Sequence, residues 1–298
     1  MATILRLKEL NMELSGKVAV ITGAIRGIGL AIAAGLARTG VRCVVTYYDW
    51  LEDLSDMDKE LMAAGAEYHA IHVDLTASDG AERVIKETQR RFGRLDILIN
   101  NIERGGWPIV HGEYTQRQWD LEFSTTITAK WRLFKHALPL LKASGDGAVV
   151  NISSIAGIVG RCGPAANVFH DCYSLSNRAI QTLTETWARE AAPEVRVNEL
   201  MLGFFETRHG PGTRGWELLQ GKERAALIGH TLLGRTGALH EAVQAVAFLV
   251  REATFMTGAV IRLDGGYILG GEQAGVIPRG AVSPDEPTFG GHIPPNQT

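Results

Sequence analysis

The segment VITGAIRGIGLAIA sets Thr22, Gly23, Arg26, Gly27, Ile28 and Gly29 where an apolar run gives way to a helical pattern. Glycines at such a junction let the backbone turn sharply and approach a pyrophosphate, whose charge meets the free N–H groups and the positive dipole end of the helix. The plainer alternative is a tight turn that holds no ligand. Asp49 lies twenty residues after Gly29, the spacing of an acid that holds a cofactor ribose. Glu103 and His170 are of types that act as general acids or bases, though loop residues of these types are more commonly only solvated. No metal centre is expected. His69 and His72, three apart in a strand pattern, point to opposite faces, and His170-x-Cys172 lacks further ligands at a recognisable spacing.

These residues need a scaffold, and the hydrophobic pattern supplies one between Leu14 and Gly270. Seven short apolar runs read as strands, at 17–23, 42–48, 68–74, 95–100, 147–153, 195–200 and 259–264. Amphipathic stretches at 27–39, 79–92, 116–142, 173–191 and 240–251 alternate with them. The alternation predicts one α/β domain of Rossmann type over 14–270, a doubly wound parallel seven-stranded sheet with helices on both faces. Residues 1–13 read as a lead-in, and 271–298, rich in Pro and Gly, as an irregular C-terminal arm.

The net charge of −3 offers no basic excess for a phosphate backbone, so nucleic acid is not an expected partner. No apolar stretch approaches the roughly 18 residues that suggest a membrane span, so no membrane partner is expected either. Three cysteines without a CxxC fit a reducing compartment, and a cytoplasmic location is the simplest reading.

The spacing TGxxxGxG, with Asn100-Asn101 after the fourth strand, Asn151-Ile-Ser-Ser154 ending the fifth and Tyr173 opening the next helix, resembles the classical short-chain dehydrogenase/reductases. The resemblance runs in order from about Leu14 to Gly270. It implies that Gly23, Gly27, Ile28 and Gly29 hold a pyrophosphate, Asp74 and Leu75 an adenine, and Asn100 the adenosine ribose region. Thr207 would meet a nicotinamide carboxamide. At the end of the second strand the position that selects between cofactors is Tyr47, which is not acidic, and Arg26 matches a basic residue of NADP-using members. Asp49 is the counterweight, and NADP(H) is favoured over NAD(H).

The same resemblance makes Tyr173 the proton donor and Ser154 the group that holds a substrate oxygen. A tyrosine works near neutral pH only when nearby positive charge lowers its pKa from about 10. The family supplies a lysine four residues on, but here that position is Asn177, which can meet a ribose hydroxyl and carries no charge. Arg178 points about 100° away on the helix. Thr126 stands at the family's relay asparagine, Ile102-Glu103 and Leu202-Gly203 depart from its motifs, and Tyr173 falls nineteen residues after Ser154 because of the loop GRCGPAANVFHDC. Lys130, one turn after Thr126, could supply the missing charge. The plainer expectation is that it snorkels to solvent.

The expected function is NAD(P)-dependent interconversion of a carbonyl and an alcohol on a small organic substrate. The rivals are a lyase, isomerase or cyclase on the same scaffold using Glu103, His170 or Tyr173, and a dinucleotide-binding protein without turnover. Residues 203–237 fall at the family's substrate lid, and a homodimer or homotetramer through 116–142 and 173–191 is expected. Arg90, Arg91 and Arg94 read as a solvated face, and Trp107, Trp131, Trp187 and Trp216 as packing residues.

Overall fold

A computed structural model describes residues 14–103, 115–205, 207, 219–272 and 274. The expected lead-in at 1–13, nearly all of the C-terminal arm, residues 206 and 208–218 of the lid, and Trp107 and Trp216 therefore lie outside the described residues. Seven strands form one parallel sheet in the order β3-β2-β1-β4-β5-β6-β7. They are β1 Val18–Ile21, β2 Arg42–Tyr47, β3 Tyr68–His72, β4 Ile97–Asn100, β5 Gly147–Ser154, β6 Val195–Leu202 and β7 Val260–Leu263. Each falls on a run read from the sequence. After β1 the chain builds outward through β2 and β3, then returns to place β4 on the other side of β1. That reversal opens a crevice above the carboxyl ends of β1 and β4, the usual place for a ligand in such sheets.

Side chains alternate across the sheet, and each face has its own core. On one face Ala19, Ile21, Val45, Ile97 and Val150 pack with α1 (Gly27–Ala37), α2 (Leu54–Ala63) and the C-terminal α9 (Leu239–Arg251). On the other, Val20, Val44, Leu98, Val149 and Val197 pack with α3 (Gly80–Phe92), α5 (Lys130–Ala143) and α7 (Asp171–Ala191). There Trp187 lies flat on Phe134 with ring centroids 4.4 Å apart. Trp131 departs from the packing expectation, because the turn of α5 that buries Lys130 leaves the next residue 45% exposed.

The stretch expected as one helix over 116–142 has three parts: α4 (Gln116–Phe123), a π-helical segment Ser124–Ala129, and α5. A single π turn inserted in a helix widens it and often accompanies a functional site. Here Glu122, Thr126 and Lys130, spaced four apart across the widened turn, are all buried. The short α6 (Ala156–Val159) and a 3₁₀ turn at Gly163–Asn167 lead into α7, which starts at Asp171, two residues earlier than expected. The described part of the lid holds α8 (Gly221–His230). Arg94 also departs from the solvated-face expectation: its guanidinium makes bonds of 2.9 and 2.6 Å to the buried carboxylate of Asp96. Among the described residues, no helix is long and apolar enough to cross a membrane.

Candidate active site

Gly23 and Gly27 both adopt positive φ, +63° and +58°, so the turn after β1 takes a path that side chains disfavour. At Gly29 the constraint is space, since a Cβ would lie 2.3 Å from the Gly23 carbonyl oxygen and 2.7 Å from Asn101 Nδ2. The Asn101 carboxamide donates to the carbonyls of Thr22 (3.0 Å) and Gly23 (3.1 Å) and so braces the turn from β4. Thr22 Oγ1 accepts from the N–H groups of Asn101 and Ile102, each at 3.0 Å. Asn100, by contrast, is buried and donates to Asn151, which donates to Thr184. The bracing residue is thus Asn101, one position past the asparagine singled out in the sequence. Thr207 comes to the same loop, its methyl 3.6 Å from where a Cβ on Gly27 would sit.

Around this cradle lie the other expected cofactor residues. Asp74 accepts from the N–H and hydroxyl of Thr76 at 2.8 and 2.7 Å, which shapes the turn after β3. Leu75 is buried in the core of the α3, α5 and α7 face. Ile28 packs against the α1-side core. Arg26 holds Asp53 at 3.1 Å and lies over the Trp50 ring at 4.7 Å, near the ends of β2 and α1. The sequence reading did not include Asp53 or Trp50 in this group. The two strand histidines are engaged separately, His69 with Glu87 at 3.0 Å and His72 with the Tyr48 carbonyl at 3.1 Å. Among the described residues, no group of three His, Cys, Asp or Glu side chains could hold a metal ion.

The residues expected to react lie on β5 and α7, which α6 joins. Ser154 closes β5, is nearly buried, and its Oγ accepts from the Ala156 N–H at 3.1 Å. Tyr173 is 5% exposed within a cluster that includes Phe169, Phe204, Tyr267, Leu219 and Leu227. A Cβ on Gly157 would fall 2.7 Å from the Arg178 backbone nitrogen, so α6 and α7 meet at close range beside Asn177. Asn177 is buried, and its Nδ2 donates to the Tyr173 carbonyl within the helix at 3.0 Å. Arg161 pairs with Asp171 at 3.1 Å, and His170 occupies the N-cap position of α7.

Lys130 does not snorkel. It is 1% exposed, and its ammonium donates to the Ile152 carbonyl at 2.7 Å. The reason is the sheet edge. The Ala148 N–H donates to the carbonyl of Asp96, the residue just before β4, so the alternating residues of β5, Ile152 included, point their backbone groups toward β4. But β4 ends at Asn100, opposite Asn151, and leaves that carbonyl without a strand partner. Burial pushes the Lys130 ammonium down to about 8, against the opposing pull of Glu103, Glu199 and Glu122.

Two carboxylates of this group escaped the sequence reading. Glu122 accepts from Thr126 at 2.6 Å. Glu199 is fully buried in β6 and accepts a short hydrogen bond from Ser153. Burial pushes the Glu199 carboxyl up to about 7, although Ser153, Lys130 and Arg178 favour its charged form. A signal existed, since a glutamate inside the apolar run VRVNELML belongs to a strand covered on both faces.

Comparison with known proteins agrees with this geometry. A family model described as enoyl-(acyl carrier protein) reductase matches residues 23–268. The chain is 30% identical over 262 residues to the 3-oxoacyl-(acyl-carrier-protein) reductase FabG of Thermotoga maritima, covering 87% of this chain and 100% of that one. It is 32% identical over 253 residues to the cis-4-hydroxycyclohexanecarboxylate dehydrogenase of Sinomonas cyclohexanicum, covering 84% and 96%. A doubly substituted short-chain dehydrogenase/reductase of Serratia marcescens superposes with a TM-score of 0.74 at 26% identity, covering 86% and 99%. With its glycine turn, parallel sheet and Ser154–Tyr173 end, the chain belongs to the classical short-chain dehydrogenase/reductase family of oxidoreductases.

Proposed function

We propose that the protein interconverts a carbonyl and an alcohol on a small organic substrate with NADP(H), in preference to NAD(H), and that Lys130 supplies the cation which Asn177 cannot. The observation that carries this reading is the buried ammonium of Lys130, two residues down the strand from Ser154. Gly23, Gly27, Ile28 and Gly29 would hold the pyrophosphate, in a turn whose Gly29 Cβ position is already filled by backbone oxygen. Asp74 and Leu75 would meet the adenine, Asn100 would support the adenosine ribose region, and Thr207 would meet the nicotinamide carboxamide. Arg26 supports the choice of NADP(H): half-exposed over the Trp50 ring and beside Asp53, it would present a cation where a 2′-phosphate would arrive. Asp49 stands close by in the chain as the opposing charge.

The bound dinucleotide supplies or accepts the hydride. In the reducing direction Ser154 holds the substrate oxygen and Tyr173 gives it a proton, so one carbonyl, one hydride and one proton yield one alcohol. The positive charge of Lys130 makes that proton easier to release. Asn177 meets a ribose hydroxyl through its carboxamide. The outward-facing Trp131 on α5 and Leu175 on α7, both about half exposed, support assembly through these helices into a homodimer or homotetramer. Free thiols at Cys43, Cys162 and Cys172 are consistent with a cytoplasmic location.

The test is a calorimetric titration with NADPH and NADH, followed by turnover on a panel of 3-oxoacyl thioesters and cyclic ketones, the chemistry named for the similar proteins. NADPH should bind more tightly, and Arg26→Ala should weaken NADPH more than NADH. No binding of either dinucleotide would remove the reading, and equal losses in Arg26→Ala would remove the cofactor preference.

A further inference from the structure

Behind Ser154, on the α5 and α7 face of the sheet, lies a polar layer in an otherwise apolar core. It contains Asn100, Asn151 and Thr184, joined in one hydrogen-bond chain, and beside them Ser153 with Glu199. The register explains the grouping. Asn151 pairs with Glu199 and Ser153 with Met201, so Asn151, Ser153 and Glu199 share one face. Lys130 enters from α5 and takes the Ile152 carbonyl between Asn151 and Ser153.

Taking a carboxylate and an ammonium out of water costs several kcal/mol for each ion, and a tight, fully hydrogen-bonded arrangement is needed to offset it. This pair is not fully satisfied, because Glu199 Oε2 is buried with no hydrogen-bond partner among the described residues. An apolar residue at Glu199 would suit the strand better. The carboxylate therefore invites an explanation in terms of charge rather than packing.

We infer that Glu199 is a positioning residue of this site, whose buried carboxylate keeps the Lys130 ammonium protonated beneath Ser154. The inference rests on the proposed role of Lys130. Among the described residues, the charged groups acting on the pair come from several elements: Glu103 after β4, Glu122 on α4, and Arg178 and Glu185 on α7. Glu122 is tied to Thr126 on its own helical stretch and Glu103 sits at the partly exposed mouth. Glu199 is the member of the set fixed on the sheet beside the carbonyl that Lys130 occupies. Losing its charge leaves the ammonium with burial unopposed from that side, and the ammonium then gives up its proton at a lower pH.

The experiment follows the Lys130 side chain directly. Full-length protein carrying ¹³C-lysine, with the Lys130 signal assigned by its loss in Lys130→Arg, is titrated by NMR without substrate. Glu199→Gln should lower the Lys130 midpoint by about one pH unit or more, and Glu199→Asp should restore most of it. Ser153→Ala provides a milder variant that keeps both ions. It removes the hydroxyl that favours the charged carboxylate, and should lower the midpoint by a smaller amount. An unchanged midpoint in folded Glu199→Gln, or in Ser153→Ala if the former does not fold, overturns the inference.

With a substrate in hand, the alkaline limb of kcat in Glu199→Gln should move down in step with the NMR midpoint while KM changes little. A midpoint that moves while the kcat profile stays fixed would instead overturn the catalytic role of Lys130, and leave the coupling between the two residues standing.

Discussion

Asparagine stands at position 177, where the family resemblance leads one to expect lysine, and the proposed source of the missing charge is Lys130, twenty-two residues before the Ile152 whose carbonyl it holds. Tyr173→Phe should lower turnover by about 10²- to 10⁴-fold, the usual worth of a positioned acid, in a steady-state assay with the cofactor absorbance as readout. Lys130→Met should lower turnover comparably and abolish the alkaline transition centred near 8, whereas Lys130→Arg should carry activity to higher pH because the guanidinium stays charged. Glu199 makes a separate prediction about stability. Its folded pKa of about 7 lies above the ordinary 4.5, so the native state holds the proton longer than the unfolded chain. The contribution is full below about 4.5 and is lost as pH rises through 7, at most about 3 kcal/mol in all. Denaturant midpoints of the wild type should therefore fall relative to Glu199→Gln across that window. Parallel curves would show that the carboxyl titrates normally. Lys130 acts the opposite way, adding stability only as pH climbs above 8.

The turn between β1 and α1 and the π-helical segment between α4 and α5 are the two local structures that aim the chemistry. In the first, Gly29 is closed off by backbone oxygen, whereas Gly229 in α8 has nothing within 4 Å of its Cβ position. Gly29→Ala should therefore displace the turn and weaken dinucleotide binding more than tenfold, while Gly229→Ala should leave binding intact and change stability by under about 1 kcal/mol. Equal binding by the two variants in calorimetry would mean that the turn does not contact the ligand. The π-helical segment sets the direction of Glu122, Thr126 and Lys130 together, so the buried charges share a structural cause.

For the molecule as a whole, ligand binding and assembly should both appear as mass-action effects. A dinucleotide at about 100 times its Kd should add roughly 2.7 kcal/mol to stability and raise the thermal midpoint by several degrees. Light scattering at micromolar concentration should give twice or four times the mass of the 298-residue chain. A monomer mass would leave Trp131 and Leu175 as isolated apolar side chains on the surface.

All seven strands and the glycine turn after β1 were legible in the sequence, because both depend on local regularities. Short apolar runs and glycine spacing act within a few residues and keep their meaning in any surroundings. The resemblance added Ser154 and Tyr173 for the same reason, since each sits in a short motif at the end of an element. The fate of Lys130 was not legible. Its helix face could be read, but the ammonium is buried because β4 stops at Asn100 and leaves the Ile152 carbonyl without a strand partner. That is a relation between three elements distant in sequence. Asn101 bracing the glycine turn, Arg26 with Asp53 and Trp50, and Glu199 beside Lys130 belong to the same class. A local pattern specifies which residues face inward; which charges meet there is decided only when the sheet register and the helix docking bring them within electrostatic reach, where low dielectric makes their mutual effect large.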